Sequence, residues 1–499
     1  MKRQEKLKAL RIHANIFLRA VNRASRLCQR KGTSTQRRRD AEQTQRISAQ
    51  PLRLCISAVF IPLAVHRFEA THETRRYQKI LWMLRACLIS TLILLFAAPA
   101  HAGNLVSNRP IENPEAMAAF YSSLRLTDAG QAITRIIHYG DSHVASDLMT
   151  GEMRQRFHSG FGSAGTGFAL AARPWKWYSP VGGSITTSAG WRADGLSQST
   201  DARLGLAGVC ASADRTAEWI QLTARGRYFD IYLLKQPGGG SIDVLLDGAL
   251  IHQNARLALD HYKPFYLEVE AESDGAHTIE IKISASGRVR LFGIAAESDS
   301  AGVGYDALGI NGARAYLPLA WDWRVLADNL ARRDPTLIII AYGSNEAGDV
   351  DFNPSDYAKR FSEMLRRFQH ATPDASILVI SPPDRAVKTG SRWHSIKRMP
   401  SLVEVQRRAA REQGAAFWNL FEAMGGSDSI DRWARAGFAA SDRVHLTRAG
   451  YRMIAEALYA ELMRGYLWTL IGQAAAQTRD HRLDGGTHGP YQSSRRRLF

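Results

Sequence analysis

Ala132–Tyr139 reads AITRIIHY and runs straight into Gly140-Asp141-Ser142-His143. The apolar run has the length of a strand, the glycine marks its end, and Val144–Phe157 continues with a helical pattern. Two further runs, Thr336–Tyr342 (TLIIIAY) and Ile377–Ser381 (ILVIS), are nearly unbroken in their apolarity. Strands read this way when both faces of a parallel sheet are covered. Helical patterns separate or follow them over Trp321–Arg332, from near Ser355 to about His370, over Leu402–Gln413 and over Arg448–Met463. Tyr357, Phe361, Met364, Leu365 and Phe368 share one face of the second of these. The alternation predicts an α/β domain with right-handed crossovers and helices on both sides of a parallel sheet.

The middle third follows another period. Between about Ser184 and Ser300 the pattern shortens toward two, as in Trp219-Ile220-Gln221-Leu222, Phe229-Asp230-Ile231-Tyr232-Leu233, Ile242-Asp243-Val244-Leu245-Leu246 and Thr278-Ile279-Glu280-Ile281-Lys282-Ile283. Turn signals at Pro237-Gly238-Gly239-Gly240, Asp247-Gly248 and Asp274-Gly275 punctuate it. Short strands so spaced predict an antiparallel β-sandwich. The α/β pattern resumes afterwards, so residues 184–302 are expected to be an insertion, with the host domain in two pieces at 103–183 and 303–475. Residues 476–499, with Gly485-Gly486 and Arg495-Arg496-Arg497, read as a disordered tail.

The 499 residues carry a net charge of +18, unevenly spread. Residues 1–82 hold 19 Lys/Arg against 5 Asp/Glu, a net +14; Arg85 adds one, and +3 is left for everything from Gly103 onward. The basicity belongs to the leader, which argues against a nucleic-acid partner. Met83-Leu84-Arg85 opens a short positive segment, Ala86–Ala98 is apolar, and Pro99-Ala100-His101-Ala102 has an A-x-A pattern. That layout predicts a secretory signal peptide at 83–102, with an uncleaved anchor as the competing reading. On this expectation Met83 is the true start, residues 1–82 come from an upstream start codon, and the mature chain begins near Gly103 in the periplasm or outside the cell, without stable membrane insertion. Of Cys28, Cys55, Cys87 and Cys210 only the last then remains, so no intrachain disulfide is expected.

Four short motifs fall at carboxyl ends of expected strands or beside them, where open α/β sheets place their sites. Ser142 stands at a strand-to-helix turn, its N–H at a helix start that favours negative charge. Gly309-Ile310-Asn311-Gly312-Ala313 follows the apolar run Tyr305–Leu308, and its glycine lets a backbone N–H approach a ligand. Tyr342-Gly343-Ser344-Asn345-Glu346 follows the most apolar strand, and the Asn345 amide could donate to an oxyanion. Asp442-Arg443-Val444-His445-Leu446-Thr447 precedes a helix that Thr447 could cap. Its spacing lets a carboxylate accept from imidazole Nδ1 while Nε2 is left for a serine proton. Taken singly these are a helix cap, two turns and a surface pair; together, and in this order, they form a hydrolytic set.

In these motifs the chain resembles the SGNH hydrolases, also called GDSL-type esterases. The family's Ser, Gly, Asn and His match Ser142, Gly312, Asn345 and His445, over roughly residues 130–183 and 303–465. The resemblance implies a flavodoxin-like three-layer α/β/α fold. It implies Ser142 as nucleophile, His445 as general acid/base and Asp442 as its orienting carboxylate. The Ser142 and Gly312 N–H groups and the Asn345 side chain would form the oxyanion hole. His143 stands where many members have Leu, and Glu346 replaces the commoner Asp. Ser142 and Gly312 lie 170 positions apart, much farther than in compact members. A carbohydrate-binding-module-like sandwich in that gap looks like the periplasmic peptidoglycan O-acetylesterases, which remove acetyl from the muramic acid 6-hydroxyl.

The implied partner is an O-acetylated cell-wall glycan, and the chemistry requires no cofactor. No H-x-x-x-H metal spacing occurs in the chain. Trp393 and His394, after Pro382-Pro383-Asp384, and Trp177, within Trp175-Lys176-Trp177-Tyr178, are candidate sugar-binding residues, against a packing role at the domain junction. Three other functions stay open at this stage: esterase action on an exopolysaccharide or plant glycan, non-catalytic wall binding, and acetyl transfer to a sugar.

Overall fold

The computed structural model describes residues 105–171, 178, 182–195 and 201–483, with side chains to residue 472. The expected leader, the signal peptide, Trp177 and residues 484–499 lie outside these.

Five parallel strands form the first sheet, in the spatial order Gly302–Gly309, Ile133–Gly140, Leu337–Ala341, Ser376–Ile380, Ala416–Trp418. Numbered along the chain this is 2-1-3-4-5, the flavodoxin-like order, whose switch point lies between its first and third strands. Side chains alternate between two cores. Ile137, Tyr139, Leu308, Ile338, Ile340, Ile377, Val379 and Phe417 face the helices Trp323–Arg333, Pro354–Ala371 and Met399–Glu412. Ile136, Val303, Tyr305, Leu337, Ile339, Leu378, Ile380 and Trp418 face Ala118–Asp128, Leu148–Phe161 and Arg448–Leu483. Burial on both faces is why these strands read as continuous apolar runs.

Local chemistry sets the helix ends. Asp322 accepts from the N–H groups of Arg324 and Val325 at 3.1 and 3.2 Å, and Asn353 from those of Ser355 and Asp356 at 2.9 and 3.2 Å. Thr447 accepts from Gly450 at 3.3 Å, so the expected cap precedes the Arg448 helix. The expected helix Val144–Phe157 is instead two pieces, Ser142–Ala145 and Leu148–Phe161. Asp147 breaks it: its backbone is left-handed (φ 50°), and its carboxylate holds Arg154 at 3.1 Å from the next turns. The last helix also runs through the expected tail to Leu483, because neither Gly nor Pro falls between Gly472 and Gly485.

The second sheet has nine antiparallel strands and begins at Gly167–Leu170, ahead of Ser184. Trp219–Lys235 and Lys263–Ala285 pair along almost their whole lengths and are interrupted together by a bulge at Gly226/Tyr228. On one face Ile220, Leu222, Phe229, Ile231, Leu233, Ile279, Ile281 and Leu291 close a core of their own. On the other, Tyr232, Leu234, Phe292 and Phe168 join the core of the parallel-sheet domain beside Trp321, Leu326 and Leu330. A buried ion network crosses the same seam. Arg333 donates to Asp306 at 2.6 Å and also pairs with Glu297, which takes Arg135 at 2.8 and 2.9 Å. Asp306 also accepts from the Phe168 N–H at 2.8 Å, so one carboxylate ties both sheets. Among the described residues no helix is long and apolar enough to cross a membrane.

Candidate active site

Three neighbouring strands end level: Gly140 is opposite Gly309 on one side and Ala341 on the other. The loops carrying Ser142, Gly312 and Asn345 therefore leave the same edge of the sheet, around its switch point. Gly140 has no alternative, since a Cβ there would lie 2.4 Å from Val144 Cγ2 and 2.7 Å from the Ala341 carbonyl. Its bareness lets the Ser142 turn fold back over the strand ends. Asp141 caps that turn, its carboxylate accepting from the His143 N–H at 3.0 Å.

His445 lies 303 residues downstream, yet its Nε2 is 2.9 Å from Ser142 Oγ. Its Nδ1 is 2.8 Å from Asp442 Oδ2, while Asp442 Oδ1 accepts from the N–H groups of Val444 and His445 at 2.9 and 3.0 Å. Partial burial pushes the Asp442 carboxyl up, but the hydrogen bonds from His445 and these backbone groups outweigh it and hold it below the usual carboxylate range. An ionised acceptor at Nδ1 keeps that proton on the ring and leaves Nε2 free to take the serine proton.

The other two loops carry Gly312 and Asn345, the residues expected on the oxyanion side. Gly312 is exposed with φ 74°. Asn345 is half-buried, and one hydrogen of its amide goes to the Ala313 carbonyl at 2.8 Å, which fixes the plane and leaves a second hydrogen. Beside it Glu346 is buried, and its Oε1 accepts from the Ala315 N–H at 2.7 Å. Desolvation raises Glu346 to about 7, and the buried Asp141 likewise to about 7. His143 is buried, bonded through Nδ1 to the Tyr451 hydroxyl at 2.8 Å, with its ring centroid 5.4 Å from that of His445. Burial, and then the neighbouring His445, lower it to about 3.

The expected sugar-binding residues are placed differently. Trp393 and His394 sit on the hairpin Ala386–Thr389/Arg392–Ser395, on opposite faces. Trp393 packs partly against the core with the Arg443 guanidinium 4.9 Å from its ring, whereas His394 is exposed opposite Val387. The hairpin touches the histidine loop through Ala386 N–H to the Arg443 carbonyl, 3.0 Å. Its base is pinned by buried Asp384, which takes Ser395 Oγ at 2.7 and 2.6 Å and the Ile430 N–H at 3.0 Å. Arg385, next in the chain, donates to the Ser344 carbonyl at 2.5 Å. Neither Asp384 nor Arg385 belongs to a motif; Asp384 behind two prolines, in a loop beyond an apolar strand, was the only signal.

Residues 290–453 match the GDSL-like lipase/acylhydrolase family. Among solved structures, a peptidoglycan O-acetylesterase is 25% identical and superposes with a TM-score of 0.62 over 72% of this chain and 99% of its own. Family two carbohydrate esterases from Clostridium thermocellum and Cellvibrio japonicus are more distant. They are 12% and 13% identical, over 56% and 57% of this chain and 98% and 99% of theirs, with TM-scores of 0.25 and 0.24. No curated protein matched the chain.

Proposed function

On the premise that its parallel-sheet domain is that of a GDSL-like hydrolase, we propose that the chain is an exported serine esterase that removes O-acetyl groups from a cell-wall polysaccharide. Peptidoglycan acetylated on the muramic acid 6-hydroxyl is the substrate we assign. The observation that carries the reading is the unbroken chain from Ser142 Oγ to His445 to Asp442, at 2.9 and 2.8 Å. The likeness to a peptidoglycan O-acetylesterase over 72% of this chain supports the choice of polymer. The signal-peptide pattern at 83–102 supports a periplasmic location.

Each residue then has a task. His445 Nε2 takes the proton as Ser142 Oγ attacks the acetyl carbonyl, and Asp442 stabilises the imidazolium that forms. The carbonyl oxygen gathers charge where the Ser142 N–H, the Gly312 N–H and the second Asn345 hydrogen converge. Collapse breaks the bond to the sugar oxygen, which leaves with the proton from His445. Water, deprotonated by the same ring, attacks the acetyl-serine to give acetate and restore Ser142.

Acetate released from O-acetylated sacculi is the test, with acetylated xylan as the second polymer. Ser142→Ala is expected to lower the rate by about 10⁴–10⁶ while the melting transition stays in place. Unchanged acetate release would refute the nucleophile, and faster release from xylan would move the substrate away from peptidoglycan.

A further inference from the structure

We infer that the ion pair between Arg314 and Asp349 positions the Gly312 oxyanion donor, an assignment that rests on the esterase reading above. Gly312 is exposed, and a methyl group in its Cβ position would find no atom within 4 Å. Packing therefore does not hold this peptide, although an oxyanion donor works only if it is in place before charge develops. The hold comes from the three residues that follow it. The Ala313 carbonyl takes Asn345 Nδ2 at 2.8 Å, and the Ala315 N–H reaches Glu346 Oε1 at 2.7 Å. Between them Arg314 grips Asp349 with two bonds, Nε to Oδ2 at 2.8 Å and Nη2 to Oδ1 at 2.5 Å.

All three partners, Asn345, Glu346 and Asp349, belong to the segment that carries the side-chain donor Asn345. The pair thus locks into one unit two loops from the strands that flank Ile133–Gly140, on either side of the strand that leads to Ser142. Arg314 keeps the Asp349 carboxyl below the usual carboxylate range, so the pair stays charged over the working range of the enzyme. The pair is about a third exposed, at 35% and 32%. Ion pairs so exposed add little to global stability. Rigid, bidentate guanidinium–carboxylate geometry still restricts the loop that carries it. Role and fold can therefore be separated, which is less feasible for the buried Glu346.

The test is a cycle of Arg314→Gln, Asp349→Asn and the double variant in the full chain, assayed on 4-nitrophenyl acetate and on O-acetylated sacculi. Each single variant is expected to lower kcat by about ten- to a hundredfold, since misplacement by about 1 Å can cost that much. KM should stay within about twofold, because the donors act on charge that develops after binding. The double variant should lose no more than the worse single one, as expected of two residues that act through one contact. Arg314→Lys, which keeps the charge but not the fork, should recover only a small part of the loss. Wild-type kcat in either single variant, losses that multiply in the double, or losses that follow the melting temperature would each overturn the assignment. A wild-type protein that cleaves neither ester would remove the esterase reading first, and this assignment with it.

Discussion

The two sheets bury their polar groups on different terms. In the antiparallel sheet, Arg290 is 2% exposed but grips Asp201 at 2.9 and 2.7 Å, and buried Ser212 donates to Asp194. Apart from the Trp191 indole, the buried nitrogens there without a partner, as in Arg288 and Arg290, are the Nε atoms of guanidinium groups paired through their other nitrogens. At the carboxyl edge of the parallel sheet the buried atoms Tyr342 OH, Ser344 Oγ, Glu346 Oε2 and Gln406 Oε1 meet no protein partner. Two carboxyls at that edge, Asp141 and Glu346, are raised by burial to about 7. A region whose task is packing pairs its buried charges, as Arg290 with Asp201 and Asp194 with Arg288. Costly settings gathered around Ser142 and Asn345 mark a region arranged for chemistry instead.

One substitution in each region should separate activity from stability. Asn345→Ala removes a donor from a half-buried turn, and kcat for acetate release should fall about 10²–10³-fold, or about 2.7–4 kcal/mol. Its urea midpoint should scarcely move. Leu233→Ala opens a hole in the antiparallel core, where Leu233 is fully buried. It should cost about 2–5 kcal/mol of stability, with kcat per folded molecule unchanged. Should Leu233→Ala lower kcat while the protein remains folded, the antiparallel core would itself support the chemistry at Ser142.

Next in size is a pH effect confined to the parallel-sheet edge. With folded-state values near 7, Asp141 and Glu346 keep protons in the fold that the unfolded chain releases near 4. Their stabilising contribution is complete below the unfolded value and is lost as pH rises through about 7. Glu346→Gln takes one of the two out of this balance. Between pH 5 and pH 8 its urea midpoint should fall less than that of the wild-type protein. Parallel curves for the two proteins would mean that Glu346 is ionised in the fold at both pH values.

The α/β architecture was legible because strands buried on both faces cannot hide their apolarity. TLIIIAY and ILVIS declare themselves, and the two-residue period declared the antiparallel insert. The strand Ala416–Trp418 escaped, since three residues are too few to establish a period. Gly167–Leu170 escaped for a related reason: four residues set no period, and its place is fixed by pairing with Val289–Glu297, far along the chain. Of the site, the residues given catalytic roles were legible as letters in fixed contexts, and folding brings Ser142, His445 and Asp442 within hydrogen-bond reach. What holds them was not legible. The contacts of Glu346 with Ala315, Asp349 with Arg314 and Arg385 with Ser344 each join separate loops. Nothing in local periodicity encodes such pairs. The break at Asp147 is likewise a tertiary effect, because an aspartate in mid-helix is only mildly unfavourable until Arg154 and Thr150 hold its carboxylate.

The smallest effect is expected at His143, the position where the family often carries Leu. Burial lowers this ring from 6.5 to about 3, with the nearby His445 contributing, so it is neutral wherever the esterase works. A neutral ring 5.4 Å from His445 places no charge on it, and His143→Leu should change kcat by less than about tenfold. Its mark should be on stability, with a sign opposite to that of Glu346→Gln. The contribution of a histidine held neutral in the fold is complete above the unfolded value of 6.5 and is lost as pH falls toward 3. At pH 8 the variant forfeits the bond to the Tyr451 hydroxyl and should be less stable by about 1 kcal/mol. At pH 5 the wild-type protein is already losing its histidine contribution, so the deficit should shrink or reverse. Urea midpoints at the two pH values decide the matter: a deficit that grows in acid would mean that the ring is protonated in the folded protein, and that this edge of the sheet is wetter than its burial implies.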